Sequence, residues 1–200
     1  MKKKCVIVRK LLICCFIICI LFTSCSSDDN VERGTKYVTY NCDVKILTLA
    51  TEIEISKNGK QFGKVSGDIL KLVTDPLTMY DSEGNSIAYA GDSYHFINQD
   101  SHGIYVNNTF MYDMIGLFEV FGESYEIYDE EEKLVATISF NETSTNGKMY
   151  DANKDIIAEY SSGFLRKDFD ISIYEGCNID DISIIMIFCS YYSDYSADHN

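Results

Sequence analysis

A short unit recurs along this chain at fixed spacing. Tyr80-Asp81 is followed by Ile87-Ala88, Tyr128-Asp129 by Val135-Ala136, and Tyr150-Asp151 by Ile157-Ala158, while Ile55-Ser56 with Phe62-Gly63 forms a degenerate fourth copy. Each unit joins two alternating apolar segments through a polar turn. The turns contain Asn58-Gly59, Glu83-Gly84-Asn85, Asn146-Gly147 and the acidic run Asp129-Glu130-Glu131-Glu132. That is the signature of a β-hairpin, whose turn residues tolerate positive φ and whose strands alternate sides. Alternation in Leu134-Val135-Ala136-Thr137-Ile138 and Phe169-Asp170-Ile171-Ser172-Ile173 buries one face and leaves the other in water. Repeated hairpins without helical spacers predict an antiparallel sheet that pairs with a second sheet or closes to remove its edges. Fifteen Tyr and eleven Phe suit such a sheet, and 200 residues suit one domain of it.

One segment breaks the pattern. From Ile182 to Tyr192 the chain is apolar apart from Ser183 and Ser190, with no two-residue alternation. Asn178 is the N-cap candidate, with Asp180 and Asp181 in a first turn where the helix dipole favours negative charge. As a helix it would be buried all round, with Ile182, Ile184, Ile185, Ile187 and Phe188 as its core. Its Ile content equally suits a buried strand, and periodicity leaves both open.

The N-terminus has a separate purpose. Lys2, Lys3, Lys4, Arg9 and Lys10 precede an apolar run from Leu11 to Phe22, then Thr23-Ser24-Cys25. That order is a secretory signal, and a run of about 12 residues falls short of the roughly 20 that a transmembrane helix needs. Thr-Ser-Cys resembles the lipobox of bacterial lipoproteins, which implies cleavage between Ser24 and Cys25 and lipidation of Cys25. The chain is therefore expected to divide into a signal peptide (1–24), a lipidated Cys and tether (25–36) and a β-domain (37–200). Losing five cations and no anion takes the formal net charge from −14 to −19. Such a chain repels phosphate backbones, so nucleic acid is not an expected partner. Beyond Cys25 only Cys42, Cys177 and Cys189 remain. An odd number excludes a closed disulfide framework, and leaves a Cys42–Cys177 bridge or three free thiols.

Motifs for chemistry are sparse. His95, His102 and His199 form no zinc-helix spacing, and no Cys-x-x-Cys exists. Gly91-Asp92-Ser93-Tyr94-His95 begins like a nucleophile elbow but has His where the second Gly belongs. Asn98 to Asn108 reads as a solvated loop around His102. Asp151-Ala152-Asn153-Lys154-Asp155 opens like a calcium loop, yet Ile156 replaces the required Gly and the position repeats the other hairpin turns. No cofactor, metal or catalytic residue is expected.

The order of Leu77 to Ala88, Phe121-Gly122-Glu123-Ser124-Tyr125-Glu126-Ile127-Tyr128 through Ile138, Met149 to Tyr160, and Phe164-Leu165-Arg166-Lys167-Asp168-Phe169 leading into Asp180-Asp181-Ile182 resembles the tubby C-terminal-like superfamily, nearest its LURP-one-related and small bacterial members. The resemblance implies a mainly β fold, a closed antiparallel barrel of about twelve strands around a hydrophobic C-terminal helix. Tubby domains bind phosphoinositides through Lys and Arg, but here Lys57, Lys60, Lys64, Lys71, Arg166 and Lys167 are scattered in an acidic background. No functional residue transfers. The expected protein is a membrane-anchored, extracytoplasmic, non-catalytic lipoprotein whose barrel binds an envelope lipid, glycan or protein. The alternative is a structural or protein-interaction lipoprotein without a small ligand, and a hydrolase comes third.

Overall fold

The computed structural model describes residues 34–46, 50–68, 77–96, 101–117, 122–163 and 168–199. Ser24, Cys25, most of the expected tether, Lys71, Arg166 and Lys167 lie outside the described residues.

Twelve strands follow in order: β1 (Lys36–Ile46), β2 (Ala50–Lys57), β3 (Lys60–Asp68), β4 (Leu77–Asp81), β5 (Ser86–Asp92), β6 (Ser101–Val106), β7 (Thr109–Leu117), β8 (Ser124–Tyr128), β9 (Leu134–Phe140), β10 (Asn146–Asp151), β11 (Ile156–Ser162) and β12 (Asp168–Tyr174). One helix, α1 (Asp181–His199), ends the described chain. Each strand pairs antiparallel with its sequence neighbours, and β1 pairs with β12 from Lys36↔Tyr174 to Asp43↔Asp168, so the sheet is a closed barrel without a free edge.

The recurring unit is a hairpin of one design. In β4–β5, β8–β9 and β10–β11 the Asp after the Tyr turns its carboxylate back on its own loop. Asp81 Oδ1 accepts the N–H groups of Glu83 and Asn85, Asp129 Oδ1 those of Glu131 and Lys133, and Asp151 Oδ1 those of Asn153 and Asp155. The third residue after each Asp has positive φ: Gly84 at 89°, Glu132 at 58° and Lys154 at 70°. Ala88, Ala136 and Ala158 then pair with Met79, Ile127 and Met149, each just before a register shift at the Tyr. The calcium-like spacing at Asp151 is thus a hairpin turn whose carboxylate is engaged by backbone.

The helix reading of the C-terminal run is the observed one, with two corrections. The cap is Asp180 rather than Asn178: its carboxylate accepts the backbone N–H of Ser183 at 2.9 Å, one of the orphan first-turn donors, and the Ser183 hydroxyl at 2.7 Å. Ile182, in the first turn of the helix, packs against the core but is only half-buried. Ile184, Ile185, Ile187 and Phe188 are at 0% exposure. At roughly 1.5–3 kcal/mol per fully buried large apolar side chain, this face-free helix is held by the wall around it.

That wall supplies a ring stack. Phe140 lies flat on Tyr191 with centroids 3.5 Å apart, Tyr160 lies along Phe188 at 5.8 Å, and Phe169 along Tyr192 at 5.1 Å. Gly147, opposite Phe140 on β10, provides the flat floor under that ring. Cys42 and Cys189 are buried and Cys177 half-buried, all three as free thiols; the Cys177 Sγ–H donates to the Ile179 carbonyl at 3.4 Å. A Cys42–Cys177 bridge is therefore not part of the fold.

Residues 101–106, expected in a solvated loop, form β6 instead. Gly103 and the polar Ser101 and His102 hide its alternation. His102 points inward, its Nε2 lying 2.6 Å from Asp194 of α1, so the helix satisfies the polar side chain that made the segment look exposed.

Candidate functional site

With the interior filled by α1, the surfaces left for chemistry are the barrel mouth and the outer face. At the mouth, the Tyr40 hydroxyl donates to Asp181 at 2.5 Å and Lys57 Nζ donates to the Tyr40 oxygen at 3.1 Å. Burial, then the hydrogen bond to Asp181 and its charge, hold the Tyr40 phenol well above the usual tyrosine range. An open groove of about 390 Å³ lies beside it, lined by Tyr37, Tyr174 and Asp181 among others. Lys57 also sits over the rings of Tyr37 and Tyr40, 5.8 and 5.1 Å from their centroids, so the cation here is already spent on the chain's own partners.

The outer face of β5 to β8 is built differently. Ala88, Ala90, Ile104, Met114 and Ile127 point inward, which by strand alternation turns Tyr89, Tyr105 and Asp113 outward. Asp113 is nonetheless at 0% exposure, because the segment 93–96 folds over it. Its Oδ1 accepts the Ser93 hydroxyl at 2.8 Å and the Tyr94 N–H at 2.9 Å; its Oδ2 accepts the His95 N–H at 3.0 Å and lies 2.9 Å from His95 Nδ1. With a carboxylate as acceptor, Nδ1 carries the proton. Ser93 Oγ in turn accepts the Phe96 N–H at 2.9 Å. These are the residue types of a hydrolytic triad wired otherwise: Ser93 bonds the carboxylate and not the imidazole, so the serine–histidine contact of a triad is not made. The incomplete elbow at Gly91–His95 is a loop clamp.

What the clamp displays is a continuous ring surface. Tyr89 stacks on Tyr105 with centroids 4.5 Å apart and planes 8° from parallel; Phe110 meets Tyr105 at 5.5 Å, Tyr94 at 5.2 Å and His95 at 5.4 Å; Phe96 reaches Tyr128 at 5.2 Å. Tyr94 is 67% exposed and the other rings are half-buried. Gly103 makes the arrangement possible, since a Cβ there would lie 2.7 Å from the Asp92 carbonyl and 2.9 Å from the Tyr105 ring. Burial first, then the charges of Tyr89 and Asp113, raise the Tyr105 phenol above its ordinary value.

Neither Asp113 nor the ring surface was singled out by the sequence reading. An acid within Met111-Tyr112-Asp113-Met114-Ile115 reads as an ordinary solvent-facing strand position. The signal the sequence carries is the density of aromatic residues in Tyr94-His95-Phe96 and Tyr105 to Phe110. Among the scattered lysines, Lys60 is exposed and Lys64 pairs with Glu52 at 2.9 Å. Among the described residues, no three His, Cys, Asp or Glu side chains group so as to hold a metal, and no helix is long and apolar enough to cross a membrane.

The architecture is that of the tubby-like fold. A crystal structure of an Arabidopsis thaliana protein, AT5G01750, superimposes with a TM-score of 0.56 at 12% identity, covering 82% of this chain and 94% of that one. At that identity the likeness is one of fold alone. No protein-family model matches the chain, and a search of curated proteins finds no match.

Proposed function

We propose that this protein is a bacterial lipoprotein, anchored through an acylated Cys25 and facing outward from the membrane, whose barrel is a non-catalytic binding module of the tubby C-terminal-like superfamily. It works by its outer surface. The observation that carries this reading is the pairing of a filled interior with a displayed exterior: among the described residues α1 packs the barrel with fully buried side chains, while outside it the exposed Tyr94, on a loop pinned by Asp113, joins the half-buried rings of β5 to β8. Exposed contiguous apolar surface of this kind is characteristic of interaction sites. The basic-apolar-Thr-Ser-Cys order supports the anchor, and acyl chains contribute about 0.8 kcal/mol per buried CH₂. The Ser93–Asp113–His95 wiring supports the non-catalytic reading.

Two measurements on intact cells test this. A fatty-acid probe is expected to label the protein and to lose that label in Cys25→Ala; persistent labelling refutes the anchor. A photo-reactive phenylalanine analogue at Tyr94 is expected to capture an envelope component, whereas the same group at Asn153, exposed in the β10–β11 turn, is not. Equal capture at both positions, or none at Tyr94, refutes the binding surface.

A further inference from the structure

The charge around the displayed rings specifies what they bind. From Leu77 to Glu132 the sequence contains twelve Asp and Glu and no Lys or Arg. That stretch runs from β4 to the β8–β9 turn and includes every ring of the outer surface. The β1 to β3 sector is provided with cations: Lys45 pairs with Glu54, Lys64 with Glu52, and Lys57 lies near Asp181 of α1. There the chain also covers Tyr37 and Tyr40 with the ammonium group of Lys57, and Lys64 of β3 reaches over Tyr80 of the neighbouring β4, at 5.1 to 5.9 Å. On the β5 to β8 face no Lys occupies the equivalent place among the described residues.

Ring faces carry negative electrostatic potential and attract cations within about 6 Å. Here Asp92, exposed at the end of β5, and Glu126, which accepts the Tyr128 hydroxyl at 2.6 Å, deepen that potential. The parallel Tyr89–Tyr105 pair and the exposed Tyr94 offer flat surfaces, which suit a planar guanidinium better than an ammonium. We propose that the outer face of β5 to β8 binds an arginine-rich polypeptide segment of a partner, the guanidinium groups stacking on Tyr94 and on the Tyr89–Tyr105 pair. This rests on the binding-module reading above and names the partner's chemistry. An anionic membrane surface or a polyphosphate would be repelled by the same acids.

The test uses the full-length protein, produced with its own leader and extracted in an uncharged detergent. The probe is a fluorescein-labelled Arg-Gly repeat peptide followed by anisotropy, beside a Glu-Gly repeat of equal length. Binding of the Arg-Gly peptide alone is expected, weakening with added salt. Tyr94→Ala should weaken it roughly two- to fivefold, and Asp92→Asn should weaken it most at low salt. Both side chains are exposed, so melting midpoints should stay unchanged. A Glu142→Gln variant, altered at an exposed acid in the turn after β9 and outside the Leu77–Glu132 stretch, should bind as the parent does. The proposal is overturned if Tyr94→Ala has no effect, if the turn variant loses as much as Tyr94→Ala, or if a neutral oligosaccharide binds through Tyr94 while the Arg-Gly peptide does not. Capture at Tyr94 in cells with no Arg-Gly binding would discard the arginine chemistry and leave the binding module standing.

Discussion

Adding one methyl group at Gly147 should measurably destabilise the protein, and the damage should depend on Phe140. A Cβ at position 147 would lie 2.3 Å from Phe140 Cε1, 2.6 Å from Cδ1 and 2.9 Å from Cζ. Carbon atoms rest about 3.5–4.0 Å apart, so the overlap is roughly 1 Å along a whole ring edge. The ring has nowhere to go, because its far face is stacked on Tyr191 with centroids 3.5 Å apart and its edges meet Tyr160 and Phe188. Overpacking costs about 1–3 kcal/mol, which exceeds the roughly 0.5–1 kcal/mol that Ala gains over Gly within a strand. For a domain of this size about 2–4 °C of melting midpoint corresponds to 1 kcal/mol, so Gly147→Ala should melt several degrees lower. In a Phe140→Ala background, itself costing about 3–5 kcal/mol, the ring is gone and the same methyl should be neutral or stabilising. Thermal melts of the four proteins by circular dichroism close the cycle. An equal penalty in both backgrounds would mean that the cost is backbone strain and not the ring, and the packing argument would fail.

Asp113→Ala should free the clamp without unfolding the barrel: amide exchange at Tyr94 and His95 should rise steeply while the melting midpoint falls by the equivalent of about 1–3 kcal/mol, and continued protection of both amides would refute the role given to the carboxylate. Tyr40 gives a pH signature. Its folded pKa is raised, so its contribution to stability is whole below about pH 10, where unfolded tyrosine begins to ionise, and is lost as pH climbs above that. Denaturant titrations between pH 9 and about 11.5 should show stability falling with pH, with Tyr40→Phe shallower by up to about one proton; identical slopes would contradict the buried, Asp181-bonded phenol.

Much of the barrel was legible because its information is local. The Tyr-Asp units at 80–81, 128–129 and 150–151 encode a turn through an Asp that bonds residues two and four positions on, which a spacing pattern captures. The turn expected at Asn146-Gly147 lies just before that pair, which opens β10; Asn141 stands in for Asp there, its Oδ1 accepting the N–H of Thr145 and Asn146, which makes the β9–β10 turn one residue longer. Helix or strand at Ile182–Tyr192 could not be decided by periodicity, because a segment apolar on every side has no period. β6 was missed because His102 is polar and faces inward, its partner Asp194 lying 92 positions away. The outer site fails to read for the same reason: Ser93 and Asp113 are 20 positions apart and meet only once the β5–β6–β7 register is set.

The seam between β1 and β12 has a consequence for how the molecule is made. Thr39 and Ser172, which touch across it at 3.3 Å, are 133 residues apart, and the helix that must end up inside the wall is encoded later still. Hairpins between β2 and β11 can form as the chain emerges, each closing a short loop at small entropic cost. The first strand has no partner on its outer side until the last one arrives. Until β12 and α1 are in place, β1 has a free edge and the apolar lining that receives Ile184, Ile185 and Phe188 is uncovered. High contact order makes that closing step slow, and exposed edges in the interval invite association with other chains. Excess negative charge, densest from β4 to the β8–β9 turn, gives unfinished molecules a mutual repulsion over the same interval.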